Sequence, residues 1–225
     1  MKLAILADIH ANLHALKVVS EEIRRAKVDL VACAGDIVGY GAHPNECCAM
    51  VKRLAQHTVF GNHERAALTR DAIWMNPYAA KASAWTSDAL NADSKNYLSR
   101  LELESRFDVL GKRVAMFHGS VGSDIEYVHE DQLSEDLLSE ANTDILILAH
   151  THVPYVRRFR IGLILNPGSV GQPRDGDRRA SFGIYDSDDD SCVIRRLEYD
   201  VEGAYEAILS RGLPEFLAER LFFGR

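Results

Sequence analysis

Positive charge is what this chain is short of. Twenty-six lysines and arginines stand against 33 aspartates and glutamates, a net charge of -7 over 225 residues. Without a basic field, general binding to the nucleic-acid backbone is excluded. A phosphate-bearing substrate is not, because bound divalent cations can reverse the sign of a pocket. Long apolar runs are missing too: none approaches the roughly 20 residues of a membrane span. The opening "MKLAILADIH" is broken at Asp8, too early for a signal sequence. Cysteine is scarce, and Cys33, Cys47, Cys48 and Cys192 form neither a zinc spacing nor a disulfide framework. Reduced thiols and a cytoplasmic, membrane-free protein are therefore expected. With no internal repeat and no low-complexity segment, residues 1–225 are expected to form one domain.

What is present alternates. "KLAILA" (2–7) is short and continuously apolar, the mark of a strand buried on both faces. Leu13, Leu16, Val19 and Ile23 then recur at helical spacing, with Asn12 placed to cap them. "DLVACAG" (29–35) predicts a second strand, "PNECCAMVKRLA" (44–55) a helix with Pro44 in its first turn, and "HTVFG" (57–61) a third strand. This order predicts a parallel sheet with right-handed crossovers. Residues 65–105 read as a helical excursion, "FDVLGKRVAMFHG" (107–119) as a hairpin turning near Gly111, and "EDQLSEDLLSEA" (130–141) as a helix. "DILILAH" (144–150) is another buried strand. "YVRRFRIGLILN" and "SFGIYDSDDDSCVIRRLEYD" then predict an antiparallel half, and 201–222 a helical tail.

Polar residues cluster where the strands end. "ADIHAN" carries Asp8 and His10, "AGDIVGYG" Asp36, "FGNHE" Asn62 and His63, "FHGS" His118, and "AHTHVP" His150 and His152. Ligands of open α/β sheets bind beyond the carboxyl ends of strands, so five loops distant in sequence can meet at one rim. Each residue alone has a plainer reading, as a turn, a cap or a satisfied core histidine. Together they outweigh it, since the other histidines (His14, His43, His57, His129) show no such placement. His14 follows His10 by four residues but lacks the Glu of a zinc-protease HExxH, and reads as a surface or supporting residue. From the residues alone, Asn62 and His63 stay open between metal ligation, proton transfer and helix capping.

"DIH", "GDIVGYG", "GNHE", "HG" and "HTH" occur in the order and spacing of the calcineurin-like metallophosphoesterase superfamily, which the chain resembles from Asp8 to about Asp177. "NPGSVGQPRDG" is similar to the tail of its small bacterial and archaeal phosphodiesterase branch. The resemblance implies an α/β fold, a two-sheet αββα sandwich of mixed sheets flanked by helices, with two divalent metal ions at the strand ends. It implies Asp8, His10 and His152 as ligands of one metal, Asn62, His118 and His150 of the other, and Asp36 as the bridging carboxylate. His63 it implies as the catalytic residue that meets the leaving group.

The chemistry agrees with that division. Two divalent ions roughly 3.5–4 Å apart need a shared anionic ligand, and they make hydroxide available at neutral pH for in-line attack on phosphorus. Histidine titrates in the range useful for protonating a leaving oxygen. A nitrogen and oxygen donor set without thiolate suits Mn²⁺, the favoured ion, or Fe, Ni²⁺, Co²⁺ or Zn²⁺. Arg174 is the candidate substrate-binding residue, with a solvated loop arginine as the plain alternative, and the "NPGSVGQ" glycines would let backbone approach a phosphate. A phosphodiesterase acting on a small phosphodiester or nucleotide is expected. Phosphomonoesterase and protein phosphatase are alternatives from the same superfamily, but the protein phosphatases carry GDxVDRG where Gly39 and Tyr40 stand here. A non-catalytic scaffold is the rival of another kind, as in the superfamily's retromer subunit, whose catalytic histidine is replaced. Trp74, Tyr78, Trp85 and Tyr97 predict packing of the excursion onto the body or onto the partner in a homodimer, with a substrate lid as the other reading. Glu64 has no assigned role.

Overall fold

Alternate residues of the first strand serve two different cores. In β1 (Lys2–Leu6), Leu3 and Ile5 point to one side and Ala4 and Leu6 to the other, all completely buried. The structure, a computed structural model, describes residues 1–225. β1 is followed by α1 (Leu13–Arg25), β2 (Leu30–Cys33), α2 (Pro44–Leu54) and the two-residue β3 (His57–Thr58). Asn12 caps α1 by accepting the Ala15 N–H at 3.1 Å, and Pro44 opens α2. The excursion holds α3 (Asn62–Thr69), α4 (Pro77–Ala89) and α5 (Ala92–Leu98). Then come the hairpin β4 (Glu104–Val109) and β5 (Lys112–Phe117), α6 (Glu135–Ala141), β6 (Ile145–Ile147), β7 (Tyr155–Arg158), β8 (Leu163–Asn166), β9 (Ala180–Asp186), β10 (Ser191–Leu197), α7 (Val201–Ser210) and α8 (Glu215–Glu219).

Two mixed five-stranded sheets result, ordered β10-β9-β1-β2-β3 and β4-β5-β6-β8-β7. Leu3, Ile5 and Ala32 of the first meet Val114, Met116, Ile147 and Leu165 of the second. The outer face of the first sheet, with Ala4, Leu6 and Phe182, is covered by α1, α2 and α7. The outer face of the second, with Ala115, Phe117 and Leu146, is covered by α6. This is the expected αββα sandwich.

The first sheet is mixed as expected, parallel through β1, β2 and β3 and antiparallel where β9 joins β1. Three expectations shift. The antiparallel half is divided: the β7–β8 hairpin belongs to one sheet and β9–β10 to the other. The third strand ends at Thr58, with a single further bridge from Val59 to Glu102, since α3 already begins at Asn62. The helix expected over 130–141 is broken. A 3₁₀ turn over Glu130–Gln132 precedes an extended Leu133–Ser134, and the Gln132 side chain accepts the His129 N–H instead of facing solvent. The hairpin turn is as expected, with Leu110 (φ 48°) and Gly111 (φ 83°) both left-handed as its two-residue loop requires. Of the excursion's aromatics, Trp85 and Tyr97 pack on the helix-side core, Tyr78 stacks on Phe216 at the surface, and Trp74 is 40% exposed.

Candidate metal centre

The carboxyl ends of β1 and β2 in one sheet and of β5 and β6 in the other meet at a single rim. Hydrogen bonds cross the seam: His118 Nδ1–H donates to the Ala34 carbonyl at 2.7 Å, and the His150 N–H to Asp8 Oδ2 at 3.2 Å. To turn their side chains inward, Asp8 (φ 52°), His10 (φ 48°), Asp36 (φ 52°), His150 (φ 66°) and His152 (φ 60°) all take the left-handed conformation that non-glycine residues avoid. Strain of this kind gathers where a site over-determines the backbone. Part of the restraint comes from the "NPGSVGQ" loop. Ser169 Oγ and the Gly171 N–H both donate to the Asp8 carbonyl, at 2.7 and 3.0 Å, and Asn12 Nδ2 donates to the Gly171 carbonyl at 2.9 Å. A Cβ on Gly171 would run into the Ile9 carbonyl. Gly171 thus serves packing against residues 8–12, while Gly168 (φ 73°) turns beside Ser181.

All seven expected ligands converge, and every one is buried. Asp8, His10 and His152 form one group, with Asp8 Oδ1 3.8 Å from His10 Nε2 and 3.4 Å from His152 Nε2. Asp36, His118 and His150 form a second, and Asn62 Oδ1 lies 3.0 Å from His118 Nε2. Asp36 Oδ2 stands between them, 3.3 Å from His118 Nε2 and 3.7 Å from His10 Nε2.

Each carboxylate is used in the same asymmetric way. Asp8 gives Oδ2 to the His150 N–H, and Asp36 gives Oδ1 to the His63 N–H at 2.9 Å. The other oxygens, Asp8 Oδ1 and Asp36 Oδ2, are buried without a partner. Orphaned buried carboxylate oxygens are costly unless something cationic meets them. The histidines are equally committed. Nδ1 of His10, His118 and His152 is bonded to the carbonyls of Val38, Ala34 and Gln172, at 3.1, 2.7 and 2.5 Å, which turns each Nε2 inward, with a free lone pair in neutral His10 and His152. Nε2 of His10 and of His152 face each other at 3.1 Å, an arrangement of two lone pairs that a shared cation relieves.

Charge follows geometry. Burial holds His10 and His152 well below the usual histidine range and His150 at about 3, so all three are neutral, the form that binds metal. Burial also lowers His118, but the negative charge of Asp36 beside it outweighs burial and holds the ring up at about 9. Against its own burial, Asp36 is kept well below the carboxylate range by His118 and His63. Asp8 has less relief, and burial pushes it up to about 8. A cation beside Asp8 Oδ1 would reverse that shift. The residues present fit a pair of divalent ions.

His63 lies in the same cluster, within reach of His10 and Asp36, and its buried Nδ1 has no partner. Its ring is wedged between His10 (centroids 4.7 Å, edge-on) and Tyr40 (4.4 Å). Gly39 (φ 88°) makes room, for a Cβ there would come within 2.2 Å of His63 Nδ1. Gly39 and Tyr40, which stand where GDxVDRG has Asp and Arg, thus leave room for His63 and pack a ring against it. Glu64, without a role in the sequence, is completely buried and accepts the N–H groups of Asp36 (2.8 Å), Val38 (3.1 Å) and Gly61 (2.9 Å). Being third in α3 it is a capping residue, and it ties the Asp36 loop to the Asn62–His63 turn.

A cavity of about 340 Å³ opens over the cluster, bounded by Asp36, His63, His150 and Arg174. Arg174 reaches Tyr40 Oη at 3.4 Å and Gln172 Oε1 at 3.2 Å, while its Nε is buried and unpartnered. It has no carboxylate partner, unlike Arg178 with Glu198 and Arg179 with Asp177. Burial and the charge of Arg174 lower nearby Arg220 to about 10, so the side of the centre toward the C-terminal tail is positive. His14 stands apart, 3.5 Å from Asp200. The four cysteines are free.

The sequence model of the calcineurin-like phosphoesterase superfamily domain matches residues 1–190. An uncharacterized protein of Methanocaldococcus jannaschii is 36% identical, over 99% of this chain and 98% of its own length. The crystal structure of a metallophosphoesterase from Sphaerobacter thermophilus is 35% identical with a TM-score of 0.87, covering 100% of this chain and 99% of that one. An archaeal phosphodiesterase at 18% identity and a TM-score of 0.57, covering 88% of this chain and 100% of that one, shares the fold alone.

Proposed function

The chain belongs to the calcineurin-like phosphoesterase superfamily, and on that premise we propose that it is a dinuclear metal-dependent phosphodiesterase acting on a small phosphodiester or nucleotide. One observation carries the reading: two buried carboxylates each leave one oxygen unpartnered among imidazoles whose lone pairs face one another. Asp8, His10 and His152 would hold one divalent cation and Asn62, His118 and His150 the other, with Asp36 shared. When bound, such ions counter the charge of a phosphate and lower the pKa of water, and Mn²⁺ is the favoured occupant.

The chain's own residues supply the rest. Arg174, which lines the cavity without a carboxylate partner, is assigned to hold a phosphate oxygen by a charge-assisted bond. His63 is assigned to the leaving oxygen. Burial lowers it to about 4, and the negative charge of a bound phosphodiester would raise it again, favouring imidazolium where a proton must be delivered. The cavity is of a size for small ligands, which supports a small ester over a folded protein substrate. No helix is long and apolar enough to cross a membrane.

With Mn²⁺ the protein is expected to hydrolyse bis-p-nitrophenyl phosphate faster than p-nitrophenyl phosphate, and chelation should abolish both activities. Absence of turnover with every divalent metal would return the protein to the scaffold reading. His63→Ala should keep two metals per chain by elemental analysis and lose about 10²–10⁴-fold in kcat on esters with poor leaving groups. Loss of a metal would show His63 to be a ligand instead.

A further inference from the structure

Two aromatic side chains that the metal chemistry does not need line the cleft. Trp74 comes from the segment between α3 and α4, and Tyr127 from the loop after β5. They are 40% and 45% exposed, and Ile125 beside Tyr127 is 47% exposed. Leaving such area in water forgoes the stabilisation that burial gives. Isolated exposed apolar residues need no explanation, but several on the walls of one cavity do.

Tyr127 is also held in place. Its ring stacks on His150 (centroids 4.1 Å, interplanar angle 16°) and, more distantly, on His129 (6.0 Å, 13°). The loop that carries it is pinned by the Arg65–Asp124 ion pair, by Ser120 Oγ donating to Glu126 Oε2 at 2.5 Å, and by reciprocal backbone bonds between Ser120 and Ser123. A tyrosine that merely filled space would not need a braced loop. This ring is fixed with a large part of its surface free, directly above an expected metal ligand.

We infer that Trp74 and Tyr127 form a base-stacking subsite beside the metal centre, and that the substrate is a phosphodiester carrying a nucleoside. The inference rests on the phosphoesterase reading, since it places the scissile phosphate at Asp36, His63 and Arg174. A planar base has two apolar faces, and aromatic walls bind such faces with little regard to base identity. A cavity of about 340 Å³ accommodates a single nucleoside and its phosphate, not a strand. The net charge of -7 likewise speaks against a polynucleotide.

Two esters with the same leaving group isolate the subsite: the p-nitrophenyl ester of thymidine 5′-phosphate and methyl p-nitrophenyl phosphate. The nucleoside ester should show a KM lower by roughly tenfold, and Trp74→Ala or Tyr127→Ala should remove most of that difference. Binding is followed independently of turnover by thymidine 5′-monophosphate quenching of tryptophan emission at constant metal concentration. The quench should vanish in Trp74→Phe, which keeps an aromatic ring and the local packing. Equal KM values for the two esters, or a quench unaltered in Trp74→Phe, overturns the subsite. Hydrolysis of neither ester, with the Trp74-dependent quench intact, keeps the subsite and overturns the phosphoesterase reading instead.

Discussion

Glu64 shows how much one side chain can carry without touching the chemistry. Its carboxylate gathers three backbone N–H groups from two loops that hold Asp36 and Asn62. Glu64→Gln replaces one acceptor oxygen with an NH₂ that faces donors, so a loss of about 2 kcal/mol in urea denaturation is expected. Metal affinity should fall with it, and unchanged values of both would remove Glu64 from the site's support. Asp8 makes a different test, in chelated protein. Burial raises its folded pKa from 3.8 to about 8. The stabilisation from the bound proton is therefore complete below about pH 4 and is lost as pH rises toward about 8. Asn imitates the protonated acid at every pH. Asp8→Asn and the wild type should have similar Tm at acid pH, with the variant becoming the more stable one as pH approaches 8. Parallel Tm curves would contradict the raised pKa. The expected ligands were legible as a set in the sequence because they sit in loops that end apolar runs. Glu64 was not, because its partners Asp36 and Val38 are brought to it only by the fold. Tyr127 escaped for the same reason, and Trp74 was read as a packing aromatic with a substrate lid as the other reading: an aromatic in a loop gives no sign of the cavity it will face.

Elements were legible where a local rule decides them and obscure where pairing is remote. Asn12, Pro44 and the hairpin turn at Gly111 act within a few residues, and all three behave as expected. The partition of β7–β8 and β9–β10 between sheets depends on β8 pairing with β6 and β9 with β1, and nothing inside the hairpins encodes it. A similar remote tie governs the loop after β5. Arg65 stands two residues beyond His63 on α3 and meets Asp124, which is 6% exposed. Arg65→Ala would leave that carboxylate buried and unpaired, a loss of up to about 3 kcal/mol. Because the loop carries Tyr127 and no expected metal ligand beyond His118 at its start, the variant should bind two metals, melt several degrees lower, and show a raised KM for nucleoside esters with kcat little changed. A fall in kcat with KM unaltered would mean that the ion pair supports His63 rather than the loop.

At the scale of the whole molecule, the centre lies on the seam between two sheets that otherwise meet through apolar side chains. The expected ligands are shared between them: Asp8, His10, Asp36 and Asn62 follow strands of the first sheet, and His118, His150 and His152 follow strands of the second. A cation bound to the folded state and not to the unfolded chain stabilises by about 2.7 kcal/mol at one hundred times its Kd. For a chain of this length each kcal/mol moves Tm by about 2–4 °C, so chelation should lower Tm by roughly 5–10 °C per site lost. The location of the effect distinguishes a cross-sheet staple from a site built on one sheet. Amide exchange in chelated protein should rise together in residues 8–12 and 36–41 of the first sheet's rim and in 118–128 and 150–153 of the second's, while α6, on the far face of the second sheet, keeps its protection. Should only one sheet's loops respond, the cross-sheet assignments of His152 to the group of Asp8 and His10, and of Asn62 to that of His118 and His150, would have to be given up.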